Sequence, residues 1–413
     1  MNKLISSKLF TSVFLSGLLC FIFFVTIKVS GYPAALLSHL FTIGEYKLRA
    51  FASCINLHPL LESAVIDGIY GMVSRVITVA LPPMAIFFPV FTLLEECGLL
   101  RIVSRNTDTP LKKCGSCGGQ CLSMLMGFGC NACGVTGCRI IDNEKKRLRA
   151  VITNGFIPCN GKFPTLVTLI TLFFIDSEGS GSFKASLILL TVFAFSVMSS
   201  LLVTKLLSIS ILKDEEKDSS AESIERDNTY LSDENDFLLK KPDIYKVLIT
   251  SVIERTLSVM SRAVFSAAPA GLFIWAISTF PVSGNGSILS HLVTFLDPFA
   301  RFLLLDGAIL ASFMLSLPAN EIFLPILLMT YSLSGETGAL LPVLTANGWN
   351  EITAMAVIIF AVFHFPCMTT LLTIKKETGS LKWTALGFLI PTITGLMTLF
   401  TFRLLASVLQ VLP

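Results

Sequence analysis

Charge is scarce in this sequence. Asp, Glu, Lys and Arg make up 14% of its 413 residues, where soluble domains carry about 25%. Apolar residues make up 53%, and the mean hydropathy is +0.75. That shortage excludes an ordinary soluble chain of two or three domains, which length alone would suggest. The formal net charge is only +3, and no Lys/Arg-rich run interleaved with aromatics occurs, which excludes nucleic acid as a partner. Length and hydrophobicity exclude a secreted disulfide scaffold, although eleven cysteines are present. Neither G-x-S-x-G nor H-E-x-x-H occurs, nor a helical di-metal motif. Gly155 to Lys162 has the look of a phosphate loop, but the spacing is one residue too long. Phe163 stands where Ser or Thr must reach Mg²⁺. The chain is therefore read as a non-enzyme without a nucleotide site.

What is present is a series of long apolar runs. A membrane span needs about 20 such residues. Runs with little or no charge cover 9–27, 76–94, 114–138, 151–175, 185–204, 263–296, 307–335, 352–374 and 383–402. They predict an all-α polytopic membrane protein with seven to nine spans or re-entrant segments. Leu9 to Ile27, flanked by Lys3, Lys8 and Lys28, is read as a retained first span. A cleaved signal is the alternative, although the run is long for one and Gly31-Tyr32-Pro33 is a poor cleavage site. Residues 33–62 mix apolar residues with Glu45, Lys47, Arg49, His39 and His58, as an interfacial helix does. Seven glycines between Gly115 and Gly137 break the run 114–138, and Pro318, Glu321 and Pro325 break 307–335. Non-helical backbone at membrane depth is tolerated only where protein or a cavity covers it. Residues 211–246 are rich in acids and serines and read as a charged linker. The expected organisation is a first span and interfacial helix (1–62), a first half (63–210), the linker, and a second half (247–413).

Lys and Arg in short loops set orientation. They gather at 3–8, 101–113, 139–149 and 375–382, which are placed with 205–246 in the cytoplasm. The loops near 29–62, 176–183 and 281–306 then face outside. Span 76–94 would run inward and span 263–281 outward. Each half carries a proline-bearing span, a broken segment, a span with Pro-Cys, and a closing apolar run. Two similar units of opposite orientation are the pattern of inverted-repeat transporters, whose sites lie at interrupted helices near the midplane.

Candidate site residues follow from those interruptions. Proline removes a helical bond and frees the carbonyl one turn earlier. At Pro158-Cys159 and Pro366-Cys367 that carbonyl and the thiolate can both face a cavity. Thiolates suit Fe(II), Zn(II) or Cu(I). The plain alternative is a kinked helix with a packed Cys. Gly127-Phe128-Gly129-Cys130-Asn131 offers sulfur and amide oxygen on a freed backbone, against close helix packing through small residues. Asn320 and Glu321 lie inside the second break, and a carboxylate at membrane depth is costly and by default functional. Glu95 and Glu96 read as interfacial, and His364 as packed. Cys114-x2-Cys117-x3-Cys121 and Cys130-x2-Cys133-x4-Cys138 could hold a secondary metal or sense redox state. Their spacing fits no standard zinc finger, and small packing residues in a Gly-rich hairpin are the alternative.

Several of these residues resemble a family. Gly127 to Asn131, then Arg139-Ile140-Ile141-Asp142 and Phe156-Ile157-Pro158-Cys159, are similar to the first gate of FeoB-type ferrous iron transporters. Leu94-Glu95-Glu96-Cys97-Gly98 resembles the segment before it. Phe365-Pro366-Cys367, Ile374 to Ser380 and Trp383 resemble the end of the second gate, with Ala319-Asn320-Glu321 in the place of the family's Ala-Lys-Glu. The resemblance spans roughly 65–400. It implies a multi-pass permease of the cytoplasmic membrane with two nucleoside-recognition gate repeats. Fe(II) as cargo would meet Cys130, Cys159 and Cys367, assisted by Asn131 and Glu321, in an alternating-access cycle. Thiol deprotonation on binding would make uptake pH-dependent. The GTPase and regulatory domains that begin such proteins have no counterpart here. That implies a separate cytoplasmic GTPase, or a small Feo-type accessory protein, or another cargo. A homo-oligomer in the bilayer is compatible with the resemblance. Asn320 in place of lysine, and the extra cysteines, depart from the family pattern. The rival readings are a carrier of nucleosides or another small solute, and a non-transporting scaffold.

Overall fold

Several polar residues start helices in the expected way. Asn143, Asp306 and Asn350 each accept a backbone N–H three residues on, which satisfies an orphan donor of the first turn. The computed structural model describes residues 8–97, 99–175, 181–213, 245, 249, 256–282, 286–332 and 340–408. The stretch 214–244, most of the linker, and 176–180 of an outside loop lie beyond those residues.

Ahead of the first half come α1 (Lys8–Cys54) and α2 (Pro59–Ser63); the first half then runs a π-helical turn (Ala64–Tyr70), α3 (Gly71–Glu96), α4 (Leu99–Lys112), α5 (Gly118–Gly129), α6 (Asn131–Gly137), α7 (Glu144–Thr153), α8 (Phe163–Phe173) and α9 (Gly181–Ile209). The second half runs α10 (Ser258–Thr279), a two-stranded hairpin of β1 (Pro281–Val282) and β2 (Gly286–Ser287), α11 (Ile288–Phe302), α12 (Gly307–Leu315), α13 (Phe323–Ser332), α14 (Leu340–Ala346), α15 (Glu351–Phe363), α16 (Met368–Thr378) and α17 (Leu381–Val408). The helical runs Glu144–Phe173, Leu187–Ile209, Glu351–Thr378 and Leu381–Val408 are long and apolar enough to cross a membrane. α11 and α12, bent by 109°, make a fifth if counted as one span, and shorter apolar helices lie at Met84–Leu94, Ala263–Thr279 and Asn320–Tyr331. The protein is an all-α polytopic membrane protein.

Two boundaries differ from expectation. No break separates the first apolar run from the amphipathic stretch: α1 continues through Pro33 to Cys54. Proline tolerates such continuation at the cost of one helical bond. The run 263–296 is two elements, because the hairpin at 281–287 turns the chain after α10.

The loops read as lying on one side do meet. Arg139 donates twice to Glu377, at 2.7 Å each. Lys145 Nζ reaches the Lys213 carbonyl at 3.1 Å. At the opposite end Phe173 stacks on Trp349 with ring centroids 5.9 Å apart, and Arg403 donates to the Phe302 carbonyl. The span α7–α8 therefore starts on the basic face and ends on the other, whereas α15–α16 runs back. Likewise α9 runs toward the basic face and α17 away from it. Gly68 packs on Trp275 and Gly271 on Met72, so α3 and α10 are antiparallel.

The halves correspond in detail. Asp108 of amphipathic α4 accepts from Gly118 N at 2.8 Å, and Asp297 of amphipathic α11 from Gly307 N at 3.1 Å, each ten residues on. Each carboxylate also pairs with a base one turn later, Lys112 or Arg301. The break after α5 is an extended Cys130 (φ −154°, ψ 125°), and the break before the turn at Asn320 is an extended Ala319 (φ −153°, ψ 122°). Glycine is required at both helix starts: a Cβ at Gly118 would overlap the Ser104 carbonyl, and one at Gly307 the Val293 carbonyl. Backbone cannot move aside as a side chain can, and overpacking costs about 1–3 kcal/mol or more. Gly118→Ala and Gly307→Ala are expected to lower the thermal midpoint of the detergent-solubilised protein. Gly31→Ala, with no atom within 4 Å, should not; equal midpoints for all three would disprove the close approach.

Candidate functional site

Proline explains why the two central spans unwind. α7 ends at Thr153, a 3-10 turn covers Asn154–Phe156, the chain is extended at Ile157 and Cys159, and a second turn covers Asn160–Lys162 before α8. In the other half His364 to Cys367 is extended between α15 and α16. Both breaks are wider than the kinks that Pro158 and Pro366 alone predict. They cross each other: Phe156 and Phe363 meet edge to face at 5.9 Å, and Gly155 lies against Pro366.

The four interruptions bring four expected residues into one neighbourhood. Cys159, the extended residue before the second turn, is buried and interacts electrostatically with Lys162, Cys367, Glu321 and Cys130. Cys367 in turn interacts with Cys130 and Glu321, and its Sγ lies 3.4 Å from Thr370 Oγ1. The Glu321 carboxylate crosses to the first half. It lies so close to Gly161 that a Cβ there would meet Oε1 at 2.5 Å. Asn131, one residue after Cys130, is 2% exposed, and neither Oδ1 nor Nδ2 of its amide has a partner among the described residues. In this conformation no three His, Cys, Asp or Glu side chains among the described residues stand close enough to hold a metal ion together.

One expectation is corrected. The carbonyl that Pro366 frees, that of Val362, does not face an open cavity. Lys162 Nζ of the other half donates to it at 2.9 Å. Lys162 is 2% exposed. It was legible as the one charge inside the run 151–175, and an ionisable group at that depth is functional by default. Asn154 and Asn160 also carry weight. The Asn154 amide fills the slot left by Gly127 and Gly134 and donates to the Asn131 carbonyl at 2.9 Å. Asn154 Oδ1 and Asn160 Nδ2 are buried without partners among the described residues. Nothing in the pattern marked these amides, because single Asn residues beside Pro-Cys look like turn formers.

The remaining candidates fall elsewhere. His364 is packed among Phe313, Phe360 and Phe365, with Nε2 3.4 Å from Asn320 Oδ1. Glu96 is exposed at the end of α3. Cys117 and Cys138 are buried in an apolar cluster with Val135, Ile141, Ala150, Val151 and Ile374. Cys121 packs on the main core, beside Thr107, and Cys114 is half-buried on the α4–α5 turn. Cys133 alone of these five lies at the central breaks, three residues after Cys130 in the first turn of α6.

The fold and this centre define a polytopic membrane protein of two inverted halves whose broken helices meet around buried thiols, amides, a carboxylate and an ammonium. A family model described as Gate, nucleoside recognition, matches residues 77–173 and 185–381. The chain belongs to that family. It is 26% identical over 412 residues to the Fe(2+) transporter FeoB of Staphylococcus aureus strain MSSA476, covering 97% of this chain and 58% of the relative. It is 23% identical to the Fe(2+) transporter FeoB of Leptospira interrogans serovar copenhageni, covering 92% and 57%. The chain thus spans just over half the length of these curated relatives. No solved structure matches it.

Leaving a buried carbonyl unpaired costs about 1–3 kcal/mol. Lys162→Met is therefore expected to lower the thermal midpoint by several degrees, whereas Lys162→Arg, which keeps donors, recovers part of the loss. An unchanged midpoint for Lys162→Met would remove the Val362 bond from the account.

Proposed function

We propose that this chain is a permease for ferrous iron in the cytoplasmic membrane, with the basic face toward the cytoplasm. The observation that carries this reading is the crossing of the breaks that bear Cys159, Cys367 and Glu321, with the Glu321 carboxylate against Gly161 and Pro366 against Gly155. Fe(II) accepts mixed sulfur and oxygen donors. A dication entering the bilayer must exchange its water for such donors, because an unpaired charge there is costly. Asn131 supplies an amide oxygen left free for a ligand. The naming of the relatives as Fe(2+) transporters supports the same cargo.

The donors stand apart in this conformation, so binding draws the two halves together. Release follows when one half moves and reopens the gap toward the basic face. There the bidentate Arg139–Glu377 pair joins the halves. A cytoplasmic GTPase, or a small Feo-type accessory protein, acting on that face is the expected regulator.

The unpaired amides of Asn131, Asn154 and Asn160 favour a second reading, a carrier of nucleosides or a similar solute. The neighbouring rings oppose it. Phe313, Phe323 and Phe360 are each at most 2% exposed and pack on one another, leaving no open face for a base.

Uptake of radiolabelled Fe(II) into proteoliposomes under reducing conditions tests the proposal. Wild type should give saturable uptake. Cys130→Ser, Cys159→Ser and Cys367→Ser should each lose about tenfold or more, since even outer-shell changes cost about 10–100-fold in metal affinity. Labelled uridine should not be carried. Equal iron uptake by all four chains would sink the thiol site, and uridine uptake without iron uptake would establish the second reading.

A further inference from the structure

Cys133 stands out among the thiols that the proposed transport path does not use. Cys117 and Cys138 are buried in a cluster with Val135, Ile141 and Ile374, away from the central breaks. Cys133, by contrast, is only partly buried, as is Cys130. Cys130 is the extended residue that precedes α6, and Cys133 is the third residue of that helix. Gly134 N donates to the Cys130 carbonyl at 2.9 Å, so the first turn of α6 closes directly on Cys130. Cα atoms three residues apart at the start of a helix stand within the about 4.4–6.8 Å over which a disulfide reaches. Cys-x-x-Cys is also the spacing at which paired thiols exchange most readily with a disulfide.

We propose that Cys130 and Cys133 form a reversible disulfide that withdraws Cys130 from the cargo and closes the carrier under oxidising conditions. The inference rests on the reading of Cys130 as a cargo ligand. The oxidant is a peroxide. The Cys130 sulfur attacks one peroxide oxygen, the O–O bond breaks, and one water leaves as a sulfenic acid forms. The Cys133 sulfur then attacks the sulfenic sulfur, the S–O bond breaks, the S–S bond forms, and a second water leaves. The two sulfurs give up two electrons and two protons in all, and the peroxide takes them. A thiol or phosphine reductant reverses the bond. Only deprotonated, reduced sulfur binds the metal well, so the disulfide removes one donor from the first half. Ferrous iron reduces peroxides to radicals, and a carrier that shuts in their presence would not deliver the two together.

The test uses the full chain in proteoliposomes, with hydrogen peroxide as oxidant, a phosphine as reductant, and radiolabelled Fe(II) as cargo. Alkylation and peptide mapping read the thiols. In wild type, peroxide should link Cys130 to Cys133 and cut uptake at least tenfold, and the phosphine should restore both. Cys133→Ala should carry iron when reduced. After peroxide it should lose uptake without recovery, because Cys130 has no resolving thiol and proceeds to the sulfinic acid. Absence of the link in wild type, or a Cys133→Ala chain that recovers as wild type does, overturns the inference, as does a Cys133→Ala chain inactive when reduced. Wild type that forms the link normally with peroxide but carries no iron when reduced would instead count against the transport reading.

Discussion

Lipid offers no partner to a bare peptide group, and every break in a membrane helix must be covered by protein. The centre of this molecule is built around that requirement. Each of its four interruptions is satisfied by a neighbour. The Asn154 amide serves the Asn131 carbonyl. Met368 N donates to the Leu317 carbonyl at 2.7 Å, which ties the two breaks of the second half together. Ser196 and Ser200 of α9 donate to the Phe156 and Thr153 carbonyls. Lys162 serves Val362 across the halves. Among the described residues, the buried side-chain N and O atoms near the breaks that still lack a partner belong to three Asn side chains. In a place where unpaired groups are costly, unsatisfied amides beside thiols are the feature on which the proposed site rests.

The contacts between halves differ in strength, and that bears on how such a molecule moves. The Lys162–Val362 bond is fully enclosed, and so is the packing of Phe156 on Phe363. The Arg139–Glu377 pair is 66% exposed on the arginine side, and exposed pairs contribute little. Opening at the basic face parts that ion pair and uncovers Ile374 from its apolar cluster with Val135, Ile141, Ala150 and Val151, whereas separating the central breaks exposes an ammonium and a carbonyl.

Much of this was legible in the sequence because its signals were large. Apolar runs near 20 residues, the clustering of bases at 139–149 and 375–382, and glycine density around 127–137 report solvent and backbone constraints that composition alone carries. The Arg139–Glu377 contact joins two loops that the base count had put on one side. What remained hidden depended on partners far along the chain. Lys162 and Val362 are 200 residues apart, and no local pattern says that a lysine will take the carbonyl that a distant proline frees. The continuity of α1 through Pro33 was missed because proline reads as a stop, although a membrane helix can carry one. The amides of Asn131, Asn154 and Asn160 became meaningful only once burial showed them unpaired.

The internal correspondence also shows how the proposed site divides between the halves. The residue after each matched break is an asparagine, Asn131 in one half and Asn320 in the other. The break residues themselves differ, Cys130 against Ala319. The second half lacks that sulfur but places a carboxylate two residues after Ala319, at Glu321, whose counterpart in the first half is Ala132. The Pro-Cys pairs are shared. Each half thus offers two groups able to carry negative charge: Cys130 and Cys159 from one, Glu321 and Cys367 from the other. A divalent cation bridging the halves meets two such groups on each side, with the Lys162 ammonium of the first half beside them. Separating the halves leaves it with only half its donors, which is the physical condition for release. An asymmetric site with all four donors on one half would instead travel with that half and keep its cargo.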